Sequence, residues 1–237
     1  MIKIAAIAIA IISIVASLAS LLLFTAYWDT VGWLGLWIYA GVMIIIFASW
    51  IFVVGWIGKE RSPLKTMDFA IIAMFGSLLE TVDLSAMFVP GLSILWYSAP
   101  AIAGPLLAFF PYGIVLAAAL KLSPKPGTAF TVFLIYFILA QVFFFNPLWL
   151  PEGIMLALGL EAYYISSKRG TTSYLVLMGI MFGIMFSISS TIFEIYIWGF
   201  WQPLFTTLPK AILSGITMAI GAFLGSAIGE RAKTVMY

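Results

Sequence analysis

The feature that most constrains this chain is a series of long apolar runs. Eight such runs, separated by charged residues or by Pro and Gly, cover most of its 237 residues. An apolar helix of about 20 residues crosses the hydrocarbon core of a bilayer. We therefore predict an all-α, polytopic membrane bundle of about eight transmembrane helices, over residues 3–27, 33–57, 66–83, 99–121, 127–146, 151–168, 172–197 and 207–229.

Composition supports the membrane assignment and narrows the chemistry. The chain is 64% hydrophobic and 8% charged, whereas a soluble domain is about a quarter charged. It contains no His and no Cys, which excludes zinc sites of the usual kind, thiol nucleophiles and disulfides. The Gly58-Lys59 pair lacks the earlier glycine of a phosphate-binding loop. We expect no metal, no cofactor, no enzyme activity and no nucleic-acid partner.

The basic residues predict an orientation, because short loops rich in Lys and Arg stay in the cytoplasm. With Lys3 inside and eight alternating spans, ten of the eleven basic residues fall on one side, and Lys210 is the exception. This pattern predicts a multi-pass protein of the cell membrane with both termini cytoplasmic.

Acidic residues are concentrated toward the predicted outer side. Glu161 is different, because it falls near the middle of the span 151–168. An ionised carboxylate at bilayer depth costs at least ~2.5 kcal/mol, so a partner, a cavity or a ligand should face it. The residues predicted near the outer surface are Asp29, Glu80, Asp83, Glu152 and Glu194.

The segment 84–98 is apolar but interrupted by Pro90-Gly91, which predicts a re-entrant loop or a short half-helix. Its Trp96 and Tyr97 belong to a set of aromatic residues on the outer side. Two interpretations stay open: an interfacial aromatic belt with a plain loop, or a pocket with a lid that closes over a flat or cationic heterocycle. Gln141 is the one polar side chain deep in the outer half of the span 127–146.

Small residues recur at helical spacing in two spans. The last span has one series at Ala211, Gly215 and Ala219 and a second formed by three later glycines. Such faces pack helices closely in lipid, either within the bundle or against a separate membrane subunit. In the third span a similar narrow face consists of Ala70, Ala73, Gly76 and Ser77.

Two stretches carry a resemblance to a known family. One is the sequence Lys-Pro-Gly-Thr-Ala at 125–129, which looks like an Arg-Pro-Gly-Ala-Ala motif at the start of a core helix. In the other, Gly153, Gly159 and Glu161 occupy places in the pattern Gly-x-x-Gln-Gly-x-Gly-x-Glu. Residues 61–237 thereby resemble the substrate-binding S components of energy-coupling factor (ECF) transporters, most closely the YkoE-type class for thiamine and hydroxymethylpyrimidine. The chain departs from the pattern with Leu156 for Gln and Ala157 for Gly.

The resemblance implies an architecture and a function. Residues 1–60 would be two additional N-terminal helices, and residues 61–237 a six-helix substrate-binding core. The protein would capture thiamine, hydroxymethylpyrimidine or a related heterocycle from outside. A membrane coupling (T) subunit and cytoplasmic ATPase subunits would then drive its release inward.

We assign candidate roles on this basis. Glu161 is the central ligand acceptor, with Glu80 and Glu194 as nearby acids. Trp96 and Tyr97 are lid aromatics and Gln141 is a contact to a pyrimidine edge. The predicted docking surface for the coupling subunit is formed by Ala70, Ala73 and Gly76.

Two other functions remain open at this point. The chain could be a structural or assembly subunit of a larger membrane complex, in which Glu161 pairs with a basic residue of a partner. It could also be an intramembrane enzyme that acts through Glu161 and Glu194, although neither has an obvious nucleophile beside it.

Overall fold

The computed structural model describes residues 2–26, 28–58, 64–144, 149–166, 170–198 and 204–236, and every regular element in those ranges is helical. A π-helical turn at Pro105–Phe109 joins the helices Pro100–Gly104 and Phe110–Leu122 into one continuous segment. The helices are α1 (Ile2–Ala26), α2 (Trp28–Gly58), α3 (Thr66–Phe88), α4 (Leu92–Ser98), α5 (Pro100–Gly104), α6 (Phe110–Leu122), α7 (Thr128–Phe144), α8 (Leu150–Ile165), α9 (Thr172–Trp198) and α10 (Leu204–Met236). The all-α prediction is confirmed.

Within the described residues, five helical segments are long and apolar enough to cross a membrane: Gly32–Val54, Thr66–Phe88, Ala101–Leu122, Thr172–Ile195 and Phe205–Val235. Their length and composition are those of a multi-pass membrane protein. Each of the eight predicted runs overlaps one helix, or for 99–121 the continuous segment from α5 to α6, with ends that differ by up to seven residues. The finer count of eight crossings stays a prediction.

The segment after α3 adopts the half-helix form of the predicted alternatives. Helix α3 continues to Phe88, five residues beyond its predicted end, and the Val89 N–H still donates to the Ser85 carbonyl at 3.1 Å. The chain turns at Pro90, which has no N–H to donate, and at Gly91, whose φ of 89° suits glycine. The seven-residue helix α4 follows.

Helix α10 is held between α6 and α9 by its small residues. A Cβ atom on Gly221 or Gly225 would collide with backbone carbonyl oxygens of α6, at Phe110 and Ile114 respectively. On the other side, Gly183 of α9 lies directly against Ser214 and Gly215. The small-residue faces of α10 therefore pack within the bundle, the first of the two interpretations given above.

The small-residue face of α3 divides between inside and outside. Gly76 is buried against α7, where an added Cβ would lie 2.8 Å from the Cβ of Ile135. Ala70 and Ala73 are exposed. Gly76 is therefore covered by α7. Docking of a partner stays a prediction, and of the three residues predicted for it Ala70 and Ala73 are exposed.

Helices α1 and α2 pack on α8 and α9. Polar side chains join them: the Tyr39 hydroxyl lies 2.9 Å from Ser17 Oγ and 2.8 Å from Ser189 Oγ. The hydroxyls of Ser13 and Tyr163 form a further hydrogen bond. The N-terminal pair thus covers the back of helices whose other faces line the cavity described below.

Candidate functional site

One end of the bundle, which we call the basic end, gathers Lys65, Lys121 and Lys125. Asp68 is the centre of its packing. The carboxylate of Asp68 accepts from the Lys65 N–H at 2.6 Å, the Ser123 hydroxyl at 2.7 Å and the Lys125 ammonium at 2.5 Å. These bonds tie the start of α3 to the turn between α6 and α7.

Lys121 adds α10 and the residue Gly170, two positions before α9, to the basic end. Its ammonium donates to the Gly170 carbonyl at 2.8 Å and pairs with Glu230 of α10 at 2.6 Å. Basic residues that the charge pattern predicted on one side of the membrane therefore meet at one end of the bundle.

Glu161 belongs to the basic end rather than to the middle of the bundle. Its two carboxylate oxygens accept the backbone N–H groups of Gly127 and Phe130, at 2.8 and 3.1 Å. Glu161 thereby caps the first turn of α7, where unpaired N–H groups and the helix dipole favour a carboxylate. The expected position near mid-membrane is not observed, because α8 ends at Ile165, only one turn later. The two stretches that carry the family resemblance contact each other here.

Toward the opposite end lies a cavity of about 220 Å³. Its lining combines ionisable groups, hydroxyls and aromatic rings. The polar residues of this lining are Asp83, Tyr112, Tyr136, Glu152, Ser187, Ser190, Glu194 and Lys210.

All the long helices after α2 contribute to this cavity. Asp83 comes from α3, Tyr112 from α6, Tyr136 from α7 and Glu152 from α8. Helix α9 adds two serines and Glu194, and α10 adds Lys210. Among the residues that the structure describes, none of α1 or α2 lines the cavity.

A chain of hydroxyls leads to Asp83. Tyr136 donates to Asp83 Oδ2 at 2.6 Å, and the hydroxyl of Tyr112 lies 3.0 Å from that of Tyr136. Both tyrosine residues are buried, which fixes the two rings as one wall of the cavity.

Glu152 is a second acidic group in the lining of the cavity. Its side chain accepts from the Ser190 hydroxyl at 2.9 Å, and the residue retains only 7% of its accessible surface. Ser187, one helical turn before Ser190, is fully buried, and its Oγ has no hydrogen-bond partner in the described part of the chain. An unsatisfied buried hydroxyl on a cavity wall is suited to a hydrogen bond with a ligand.

The ion pair of Glu194 and Lys210 lies at the rim, with 3.5 Å between Oε2 and Nζ. The Glu194 side chain is 37% exposed, against 8% for Lys210. Lys210 is the one basic residue that the charge pattern predicted on the outer side. Its charge is balanced here by an acid of the neighbouring helix.

Aromatic rings complete the walls. Tyr112 and Phe186 are stacked, with centroids 6.1 Å apart and planes inclined by 8°. Phe133 meets Tyr136 and Phe186 edge to face, at 5.1 and 5.6 Å. Faces of this kind suit a flat ring, and their quadrupoles attract cations.

The predicted site residues do not all converge on the cavity. Glu194 lines it, whereas Glu161 does not. Glu80 is buried one turn before Asp83, and Gln141 directly follows the lining residue Ala140 on α7. The side chains of Trp96 and Tyr97 lie outside the described part of the structure. The ligand roles of these residues stay predictions.

Several cavity residues were not selected from the sequence. Asp83 and Glu152 were assigned only to the outer surface, and the tyrosines and serines were not considered as site residues. One signal was available: four hydroxyl residues, Ser187 and 189–191, interrupt an apolar span just before Glu194. Nothing comparable marked Tyr112 or Tyr136.

Comparisons with family models, with curated proteins and with solved structures give no match to this chain. The chemistry of the cavity must therefore support any function. Three carboxyl groups against one ammonium give the lining an excess of acids, which suits a cationic ligand. No cluster of three metal-binding side chains occurs among the described residues.

Proposed function

We propose that this chain is the substrate-capture subunit of an ECF-type vitamin transporter, and that it binds thiamine, hydroxymethylpyrimidine or a related heterocycle in the cavity. The observation that carries the proposal is the cavity itself, in which carboxyl groups and hydroxyls converge with stacked aromatic rings. A pocket with a few polar groups among aromatic walls is typical of small-molecule binding.

The composition of the walls favours a flat ring with a positive charge or several hydrogen-bond donors. Glu152 and Asp83 accept such donors, and the Tyr112 and Phe186 rings offer faces for stacking. The volume of about 220 Å³ is near the lower end for ligand pockets, usually ~300–1,000 Å³, which favours a small heterocycle. A cationic thiazolium would offset part of the cost of burying these carboxylates.

The arrangement of helices supports the six-helix core of the proposal. Residues 61–237 supply every described lining residue, and residues 1–60 form the two helices behind α8 and α9. We propose eight crossings, with both termini in the cytoplasm and the cavity toward the outside, because it lies away from the basic end.

Release toward the cytoplasm requires partners in this proposal. The chain has no phosphate-binding loop of its own, so a coupling subunit and cytoplasmic ATPases supply the energy. The exposed Ala70 and Ala73 on α3 let another helix approach closely and are the proposed contact with the coupling subunit.

Equilibrium binding to detergent-purified protein tests the proposal. Titration calorimetry with thiamine, and separately with hydroxymethylpyrimidine, should show saturable binding to one site. Glu152→Gln should weaken it, whereas the surface variant Glu230→Gln should not. Copurification with a coupling subunit and ATPases should accompany binding. If neither compound binds and the chain copurifies with a complex that is not a transporter, the assembly-subunit alternative takes its place.

A further inference from the structure

Helix α3 carries a second carboxylate beside the cavity that the binding role leaves unused. Glu80 and Asp83 are three residues apart, so they project from the same side of the helix about one turn from each other. Glu80 retains 2% of its accessible surface, and neither of its carboxylate oxygens has a hydrogen-bond partner among the residues that the structure describes. It interacts electrostatically with Asp83 and with Tyr136.

Two negative charges at this position would be costly. An ionised carboxylate that is buried without partners is far less stable than the neutral acid. A second charge one turn away adds repulsion, and two such coupled acids titrate as a pair. In the described part of the chain, the ion pairs join Lys121, Lys125 and Lys210 to other carboxylates. Among the described residues, no ion pair with a cation balances Glu80 and Asp83.

The groups that face the pair from the neighbouring helices do not change this balance. Tyr136 of α7 donates to Asp83, and Tyr112 of α6 continues that chain of hydroxyls. Among the other lining residues, Glu152 is a further acid and Lys210 is engaged by Glu194. The side chain of Tyr97 on α4 lies outside the described part.

We propose that Glu80 and Asp83 form a proton-binding site, which shares one proton in the ligand-free protein and releases it when a cation binds against Asp83. The positive charge of the ligand replaces that of the proton, which leaves through the cavity to water, so the charge of the site is conserved. Asp83 lines the cavity, and Glu80 behind it stores the proton.

The exchange gives the binding equilibrium a pH dependence of definite sign. The cation complex holds one proton fewer than the free protein, so cation affinity rises with pH, by up to about tenfold per unit while the free pair is protonated. A neutral ligand in the same cavity displaces no proton, and its affinity does not follow this dependence.

Two measurements test the inference, of which only the second rests on the proposed function. The first uses the ligand-free protein at neutral pH. Infrared spectroscopy should show a protonated-carboxyl C=O band that is reduced in Glu80→Gln and unchanged in the surface variant Glu230→Gln. Identical spectra for wild type and Glu80→Gln would overturn the proton site. Glu80→Gln replaces a neutral acid with a neutral amide of similar shape, so we expect it to fold.

The second measurement is calorimetry in buffers of different ionisation enthalpy, with thiamine as the cationic probe and hydroxymethylpyrimidine as the neutral one. Wild type and Glu230→Gln should release up to one proton per thiamine, and Glu80→Gln should bind thiamine without release. Thiamine binding to wild type without proton release would overturn the linkage. If thiamine does not bind, the proposed ligand is wrong, and the infrared comparison alone decides for or against the proton site.

Discussion

The two ends of the bundle use carboxylates in different ways. At the basic end, Asp68 accepts from three donors and Glu161 from two backbone N–H groups. At the cavity, Asp83 and Glu152 are held by hydroxyl groups and face a space large enough for a small molecule. A carboxylate whose oxygens accept hydrogen bonds from the protein stabilises the fold, whereas one that faces a cavity is available to a ligand.

The comparison predicts its largest effect at Asp68. Asp68→Ala leaves the Lys125 ammonium without its carboxylate, and loss of one partner of a mostly buried pair should lower the free energy of unfolding by about 3 kcal/mol. Unfolding in detergent with increasing denaturant measures this loss. Glu230→Ala removes a carboxylate that is 62% exposed, and no measurable change is expected. Equal losses of unfolding free energy in Asp68→Ala and Glu230→Ala would show that the buried carboxylate of Asp68 stabilises the fold no more than a surface ion pair.

At the cavity, the same type of substitution should affect binding instead of stability. Glu152→Gln replaces a carboxyl group that is 7% exposed with a neutral amide, so the folded protein should keep or gain stability. Thiamine affinity should fall at least about tenfold, which is roughly 1.4 kcal/mol. Calorimetry and thermal unfolding of the same samples measure both quantities. A destabilised variant with unchanged affinity would place Glu152 among the structural carboxylates.

Glu161→Gln sharpens the comparison at the residue that the sequence analysis favoured. The amide keeps one acceptor oxygen but loses the charge at the start of α7, so stability should fall by about 1 kcal/mol. Glu161 does not line the cavity, so ligand affinity should stay within about twofold, a difference of less than 0.5 kcal/mol. Loss of thiamine binding without loss of stability would instead support the ligand role predicted from the sequence.

The smallest predicted effect concerns Ser187. Its hydroxyl is buried without a partner, so Ser187→Ala should leave the stability of the ligand-free protein unchanged or slightly higher. If the hydroxyl bonds to the ligand, affinity should decrease by a few fold, about 0.5–1 kcal/mol. Ser77→Ala is the matched control, because that exposed serine on α3 is outside the cavity. Equal thiamine affinities of wild type, Ser187→Ala and Ser77→Ala would show that the Ser187 hydroxyl does not contact the ligand.

The helices were predictable because their signal is local. Runs of apolar residues fix each span, and Pro90-Gly91 marks the break after α3 without any knowledge of tertiary contacts. The gathering of basic residues at one end also follows from the sequence, since alternation of spans determines which loops share a side.

The cavity was less predictable, because it depends on the direction of each side chain. Glu152 and Glu161 lie on the same helix, yet one lines the cavity and the other caps α7. Both are acids in an apolar span, so sequence favoured Glu161 for its central position, although the unpaired N–H groups of a neighbouring helix determine its role. Tyr112 and Tyr136 join the site only through the packing of α6 against α7.

One measurement tests the central claim, that the cavity binds the ligand. It is the thermal unfolding of detergent-purified wild type, Glu152→Gln and Glu161→Gln, with and without thiamine. At a hundredfold excess over the dissociation constant, binding to the folded state adds about 2.7 kcal/mol of stability. We predict a clear upward shift for wild type and Glu161→Gln and a smaller or absent shift for Glu152→Gln. No shift in wild type, or one that Glu161→Gln alone abolishes, would contradict the account.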